Sequence, residues 1–238
     1  MSTLDTESTL AELVTAHPEL ARRFDDLGLD YCCGGQRRLA EAIEAAGLNA
    51  GVVLASLAAG GTDRIPADWA AMAPEQLVDH LELTHHAYLK DALPRLGALA
   101  DKVLSVHGEH HPELVDVRAT FAALRDDLEP HLMKEERILF PMIRQLATAT
   151  SAPTFHCGTL ANPIRVMESE HDLAGELLAR LRSLTGGYSV PGDGCASYRA
   201  LYAGLAEVEA DTHLHVHKEN NLLFPEVLAA EAALGGGR

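Results

Sequence analysis

The stretch DLEPHLMKEERILFP, residues 127–141, recurs as DTHLHVHKENNLLFP, residues 211–225. Both copies follow Asp-x3-His-x3-Glu-x3-Leu-Phe-Pro, so Asp127, His131 and Glu135 correspond to Asp211, His215 and Glu219. A second pair of matches lies upstream of each copy. HAYLKDALPRL from His86 and HDLAGELLARL from His171 both fit His-x6-Leu-x-Arg-Leu. His86 precedes His131 by 45 residues and His171 precedes His215 by 44. The chain therefore reads as one helical hairpin written twice, each copy contributing a lone histidine and a His-x3-Glu pair.

The rest of the sequence agrees with an all-α fold. Ala, Leu, Glu and Arg recur at helical spacing, and no stretch alternates long enough for a strand. Pro74, Pro112 and Pro163 mark helix starts, with Asn162 as an expected N-cap, and the turn GDGC at 192–195 precedes the fourth helix. Four long helices are expected at 75–106, 113–146, 163–185 and 196–230, a four-helix bundle spanning 75–232. Within the second and fourth, the Phe-Pro pair reads as a stop signal, and Pro130, just before His131, predicts either a bend or the start of a short second helix. Residues 1–60 form a separate small helical domain, 61–74 a Gly/Pro-rich linker, and the final GGGR a frayed tail.

Charge narrows the function. Against 19 basic residues stand 35 acidic ones, a formal charge of −16, which argues against nucleic acid and anionic membrane surfaces as partners. The start, MSTLDTESTL, has no signal-peptide character, and the longest apolar run, 51–60, is too short to cross a bilayer. Four cysteines, two adjacent, suit reduced thiols and a cytoplasmic location.

Residues four apart on a helix differ by only about 40° in azimuth, so His131 and Glu135, like His215 and Glu219, can close on one ion. With His86 and His171 they bring four imidazoles and two carboxylates together from four helices. Two buried carboxylates need a compensating cation. Six ligands suit two metals if each glutamate bridges, leaving an open position and room for a bridging oxygen. Imidazole plus carboxylate suits iron or manganese, with a di-iron centre preferred and zinc the chemical rival. The remaining histidines, His80, His85, His107, His110, His111, His213 and His217, are expected to be solvated or locally hydrogen-bonded, with His213 and His217, about 200° round the helix from His215, facing water or a neighbouring helix. An Asp79–His80 pair supporting His86 is a minor alternative. Asp127 and Asp211, one turn before a ligand histidine, are candidates for orienting it.

MKEERILFPMI, VMESEHDLAGELL and HKENNLLFP, preceded by LDYCCGG near the N-terminus, strongly resemble the repair-of-iron-centres proteins. The resemblance covers nearly the whole chain. It implies a hemerythrin-like bundle with two non-haem irons, oxo-bridged, held by His86, His131, Glu135, His171, His215 and Glu219. It also implies repair of iron–sulfur clusters damaged by nitrosative or oxidative stress, by iron donation, nitric oxide reduction or both. Damaged iron–sulfur proteins or iron-acceptor scaffolds would be the partners, nitric oxide or oxygen the small ligand, and a homodimer is the expected oligomer. A hemerythrin-like sensor or store of oxygen, nitric oxide or iron is the alternative.

Cys32 and Cys33 are expected at the mouth of a helix starting near Gln36, where the helix end, Arg37 and Arg38 would lower their pKa and favour redox or metal transfer. Glu168 and Glu170, beside His171, are candidates for a path for protons or leaving iron. His156, Cys157 and Cys195 have no assigned role.

Overall fold

The computed structural model describes residues 5–59 and 68–235. Among them, regular structure is helical apart from isolated bridges at Thr9–Arg38 and Phe155–Gly158. Half of the expected linker, 61–67, and all of the tail beyond Gly235 fall outside the described residues.

The N-terminal unit packs four short helices: α1 (Leu10–Ala16), α2 (Ala21–Leu27), α3 (Leu39–Ala45) and α4 (Ala50–Ala59). Thr9 and Glu12 close a capping box on α1, and Gly28 ends α2 in the left-handed conformation, φ 67°. Leu10, Phe24, Leu39, Ile43 and Val53 build its core. The cysteine loop between α2 and α3 is tied back by Leu10 N–H to Arg37 O (3.0 Å) and Ala11 N–H to Gly35 O (2.8 Å).

The first long helix is α5 (Pro74–Leu81), a π turn (Glu82–His86) and α6 (Ala87–His107). The second is α7 (Glu113–Lys134), a π turn (Glu135–Leu139) and α8 (Phe140–Ala147). The third, α9 (Ala161–Leu184), has no such interruption. The fourth is α10 (Ala196–Lys218), a π turn (Glu219–Leu223) and α11 (Phe224–Gly235).

Three local expectations need correction. The Phe-Pro pairs do not stop their helices. Proline has no N–H and its ring crowds the carbonyl four residues back. The chain answers with a widened turn just upstream, in which Phe140 and Phe224 donate to the carbonyls of Glu135 and Glu219, five residues back. Nothing in the local sequence accounts for the π turn at Glu82–His86. No second helix begins at Pro130, which lies within one α-helix from Glu113 to Lys134. Helix α9 starts at Ala161, before Asn162, so the Asn162 side chain bonds Cys157 O and Arg165 instead of capping.

The apolar core of the bundle is in two parts. Leu89, Leu93, Leu96, Phe121, Leu124, Leu178 and Leu205 belong to one. Leu77, Leu81, Leu139, Phe140, Ile164, Met167, Leu223 and Phe224 belong to the other. The six converging histidines and glutamates lie where the two parts meet, so a polar layer is clamped between apolar ones. The N-terminal unit sits on the fourth helix at this level. Asp25 Oδ1 is 2.8 Å from His213 Nδ1, Thr15 Oγ1 is 3.2 Å from His217 Nε2, and Asn221 Nδ2 donates to Cys32 O at 2.9 Å. Tyr31 meets both histidine rings edge-on.

Candidate metal centre

The six residues picked out by the repeat converge. His86, Glu135, His215 and Glu219 form one group, and His131, Glu135, His171 and Glu219 a second; within each, donor atoms lie within 4.8 Å of one another. The two glutamates belong to both groups, the arrangement that bridging requires. Glu135 Oε2 is 3.4 Å from His86 Nε2 and Oε1 3.3 Å from His131 Nε2. Glu219 Oε2 is 3.1 Å from His171 Nε2 and Oε1 3.2 Å from His215 Nε2. Each carboxylate thus offers one oxygen to each group.

Both glutamates are 0 % exposed, and all four of their oxygens, with His86 Nε2 and His215 Nε2, lack a hydrogen-bond partner. Leaving so many buried polar atoms unpaired costs roughly 1–3 kcal/mol each, more for charged groups. His131 Nε2 and His171 Nε2 face each other at 3.2 Å. A cation for each group would satisfy all of these atoms, so the donors present fit the site that the repeat implied.

Three of the outer ring nitrogens, those of His86, His131 and His171, are held from neighbouring helices. Glu136 Oε1 is 2.8 Å from His86 Nδ1 and also takes a bond from Lys90. Asn220 Oδ1 is 2.8 Å from His171 Nδ1, and Glu170 Oε2 is 2.9 Å from His131 Nδ1, with Lys134 on its other oxygen. These contacts turn Nε2 inward and fix the tautomer a ligand needs. Glu136 and Asn220 are repeat partners, each following one of the two shared glutamates, and each serves the lone histidine on the other helix of its hairpin. Lys134 and Lys218 are also repeat partners. Lys134 reaches Glu170, the residue before His171; Lys218 Nζ reaches His85 Nε2 at 2.7 Å, the residue before His86. The doubled pattern could have exposed these supports, had it been extended one residue to either side of each ligand.

Electrostatics follow from the metal-free packing. Burial disfavours a charged His131, but the charge of Glu135, 3.3 Å away, and the hydrogen bond to Glu170 outweigh it and raise its pKa to about 10. Burial would likewise push Glu219 up, yet the imidazoles of His215 and His171, 3.2 and 3.1 Å away, hold it well below the carboxylate range. The hydrogen bond from His131 takes Glu170 down to about 2.

Other expected residues fall differently. Glu168 is exposed and outside the cluster, because its azimuth on α9 faces away from the bundle interior. Asp211 is 2.8 Å from His85 Nδ1 rather than bonded to His215, and Asp127 Oδ2 is buried without a partner. His80 bonds Lys218 at 2.9 Å, not His86. His85 is buried and stacks on His215 at 5.3 Å, while His213 and His217 face neighbouring helices, those of the N-terminal unit. His107 Nε2 is 3.2 Å from Cys195 Sγ, and His111 bonds Asp193. His156 is exposed, and Cys157 touches Met142 Sδ at 4.0 Å.

The thiols also need correction. Helix α3 starts at Leu39, so Cys32 and Cys33 are not at its mouth, and Arg38 pairs with Glu7. Cys32 is buried, and its hydrogen bond with Cys33, its burial and the charge of Asp30 raise its pKa well above the ordinary thiol value. The nearest charge is negative where a positive one was expected.

Comparison with known proteins agrees with this geometry. Residues 77–227 match the hemerythrin HHE cation binding domain, and residues 6–60 match ScdA_N, a domain of unknown function. The chain is 36 % identical over 225 residues to a probable iron-sulfur cluster repair protein of Haemophilus influenzae, covering 93 % of this chain and 97 % of that one. It is also 36 % identical to the iron-sulfur cluster repair protein YtfE of Escherichia coli O157:H7, over 94 % of this chain and 98 % of the relative. The YtfE of Cronobacter sakazakii is 35 % identical over the same shares. With both domains in the same order and nearly the full length aligned, this chain belongs to the family of hemerythrin-like iron–sulfur cluster repair proteins.

Proposed function

We propose that the chain repairs iron–sulfur clusters through a di-iron centre held by His86, His131, Glu135, His171, His215 and Glu219. The observation that carries this is the pair of interlocked two-histidine, two-glutamate groups, buried and short of partners, in a chain whose relatives are named for cluster repair. Those names favour repair over the sensor or store. Bound there, two irons would supply a redox-active pair able to take up a diatomic ligand or to part with ferrous iron.

The chain's own residues set the conditions for that chemistry. Glu136, Glu170 and Asn220 aim the imidazoles, while Phe140 and Phe224 lie against His86 and His171 and keep water from that side. The Lys134–Glu170 pair, rather than Glu168, is the polar contact by which a proton could reach the edge of the site. Damaged iron–sulfur proteins or iron-acceptor scaffolds are the partners, with nitric oxide or oxygen as small ligand, in the cytoplasm. Among the described residues no helix is long and apolar enough to cross a membrane.

The test is iron content together with reactivation of an oxidised iron–sulfur enzyme. His131→Ala, His215→Ala, Glu135→Ala and Glu219→Ala should each lose most of their iron and their repair activity. His213→Ala and His217→Ala should keep their iron. An emptied His217→Ala beside a full His215→Ala would overturn the ligand set.

A further inference from the structure

We propose that Asp30, Cys32 and Cys33 form a second metal site, for one divalent transition-metal ion, in the wall of the cleft between the N-terminal unit and the bundle. Their donor atoms lie within 4.8 Å of one another. The two sulfurs are 4.0 Å apart. Two thiolates each about 2.3 Å from a tetrahedral ion stand about 3.8 Å apart, whereas a disulfide needs about 2.05 Å. The spacing is that of a chelating pair.

Asp30 organises the loop around this pair. Its Oδ1 accepts from the N–H of Cys32 (3.1 Å), the N–H of Cys33 (2.9 Å) and the Cys32 thiol (3.2 Å), and its Oδ2 accepts from the N–H of Gly34 at 2.9 Å. The carboxylate opposes a free thiolate, but it adds a third anionic donor once a cation is present. One charge thus argues against a nucleophilic cysteine and for a cation site. Binding would exchange thiol protons for the ion, the protons leaving to solvent.

The cleft itself is a cavity of 480 Å³ walled by Asp25, Tyr31, Asp172, Glu176, Arg182 and Glu209, with the two cysteines on the same wall as Tyr31. Glu209 holds the only Arg or Lys side chain of this lining, bonding Arg182 through both oxygens at 2.6–3.1 Å. The other carboxylates leave the walls negative. Tyr31, almost fully buried, keeps a hydroxyl without a partner. Helices α9 and α10, which form the far wall, carry His171 and His215. A cation held at the thiols therefore sits beside the helices that supply ligands to the main site.

The site stands on its own geometry; naming ferrous iron as its natural ion, in transit to or from the centre, rests on the repair reading. The experiment is an anaerobic titration of the iron-loaded protein with Co(II), read as thiolate-to-cobalt charge-transfer absorption. Wild type should bind one equivalent with that absorption. Cys32→Ser and Cys33→Ser should abolish it, and Asp30→Asn should weaken binding at least tenfold, the optical spectrum of the di-iron centre staying unchanged throughout. A 113Cd resonance of the wild-type protein in the range for two sulfur donors gives the same answer even if a variant misfolds. No charge-transfer band in wild type, or a band that survives Cys32→Ser with Cys33→Ser, would overturn the proposal. Cobalt binding as expected in a chain that fails to reactivate a damaged cluster would defeat the repair reading and leave this site standing.

Discussion

At the scale of single residues, the metal-free site stores protons. His131 has a pKa of about 10 in the folded chain against about 6.5 unfolded. Its contribution to stability is therefore complete below about pH 6.5 and lost as pH rises toward 10. The melting temperature of metal-free protein should fall between pH 7 and 10, and that of metal-loaded protein should fall less, since the ion takes the proton's place. Equal slopes in parallel thermal melts would contradict this. The thiols give a second expectation. Cys195 is exposed at the start of α10, where N–H groups of Tyr198 and Ser197 and His107 lower its pKa to about 7, whereas Cys32 is buried and raised. Iodoacetamide at pH 7 should modify Cys195 first, at least tenfold faster than Cys32, as peptide mapping would show. The six converging residues were legible because the pattern is written twice, so register and spacing check each other. The environment of Cys32 was not, because burial and the approach of Asp30 depend on how the loop folds back, and adjacent arginines in sequence are no guide to that.

At the scale of elements, the seat of the cysteine loop on the fourth helix depends on Gly35. A Cβ there would stand 2.5 Å from Tyr31 O and 2.7 Å from Asn221 Oδ1. Gly35→Ala should therefore loosen the N-terminal unit by roughly 1–3 kcal/mol, the usual range for overpacking, without emptying the bundle of iron. Hydrogen exchange should show faster exchange in α1–α3 alone; uniform acceleration across the bundle would refute a local role. Helix positions were readable from periodicity and proline placement, to within two residues at Ala161. The π turns were not, because hydrophobic spacing averaged over a long helix hides one widened turn. In the second and fourth helices the proline that causes the widening had suggested an end instead. His213 and His217 show the same limit: their azimuth away from the site was correct, but what they face belongs to another part of the chain.

At the scale of the whole molecule, the bundle carries its polar layer between two apolar cores, and the N-terminal unit bonds to the fourth helix at that level. Sequence made the four helices and the doubled hairpin plain, since both are local repeats. It could not show that the core divides, because that requires knowing which residues share a level across four helices. The division has a mechanical meaning. With cations in place the layer is a rivet joining the upper and lower halves. Without them it becomes a seam of two facing carboxylates and unpaired imidazole nitrogens that water can enter. The two halves then need not come apart together. Calorimetry should show one cooperative transition for the loaded protein and two for the stripped one, the half containing Phe140 and Phe224 melting first because its helices end in short segments. A single transition in the stripped protein would mean that apolar contact along α7 and α9 alone carries cooperativity across the gap.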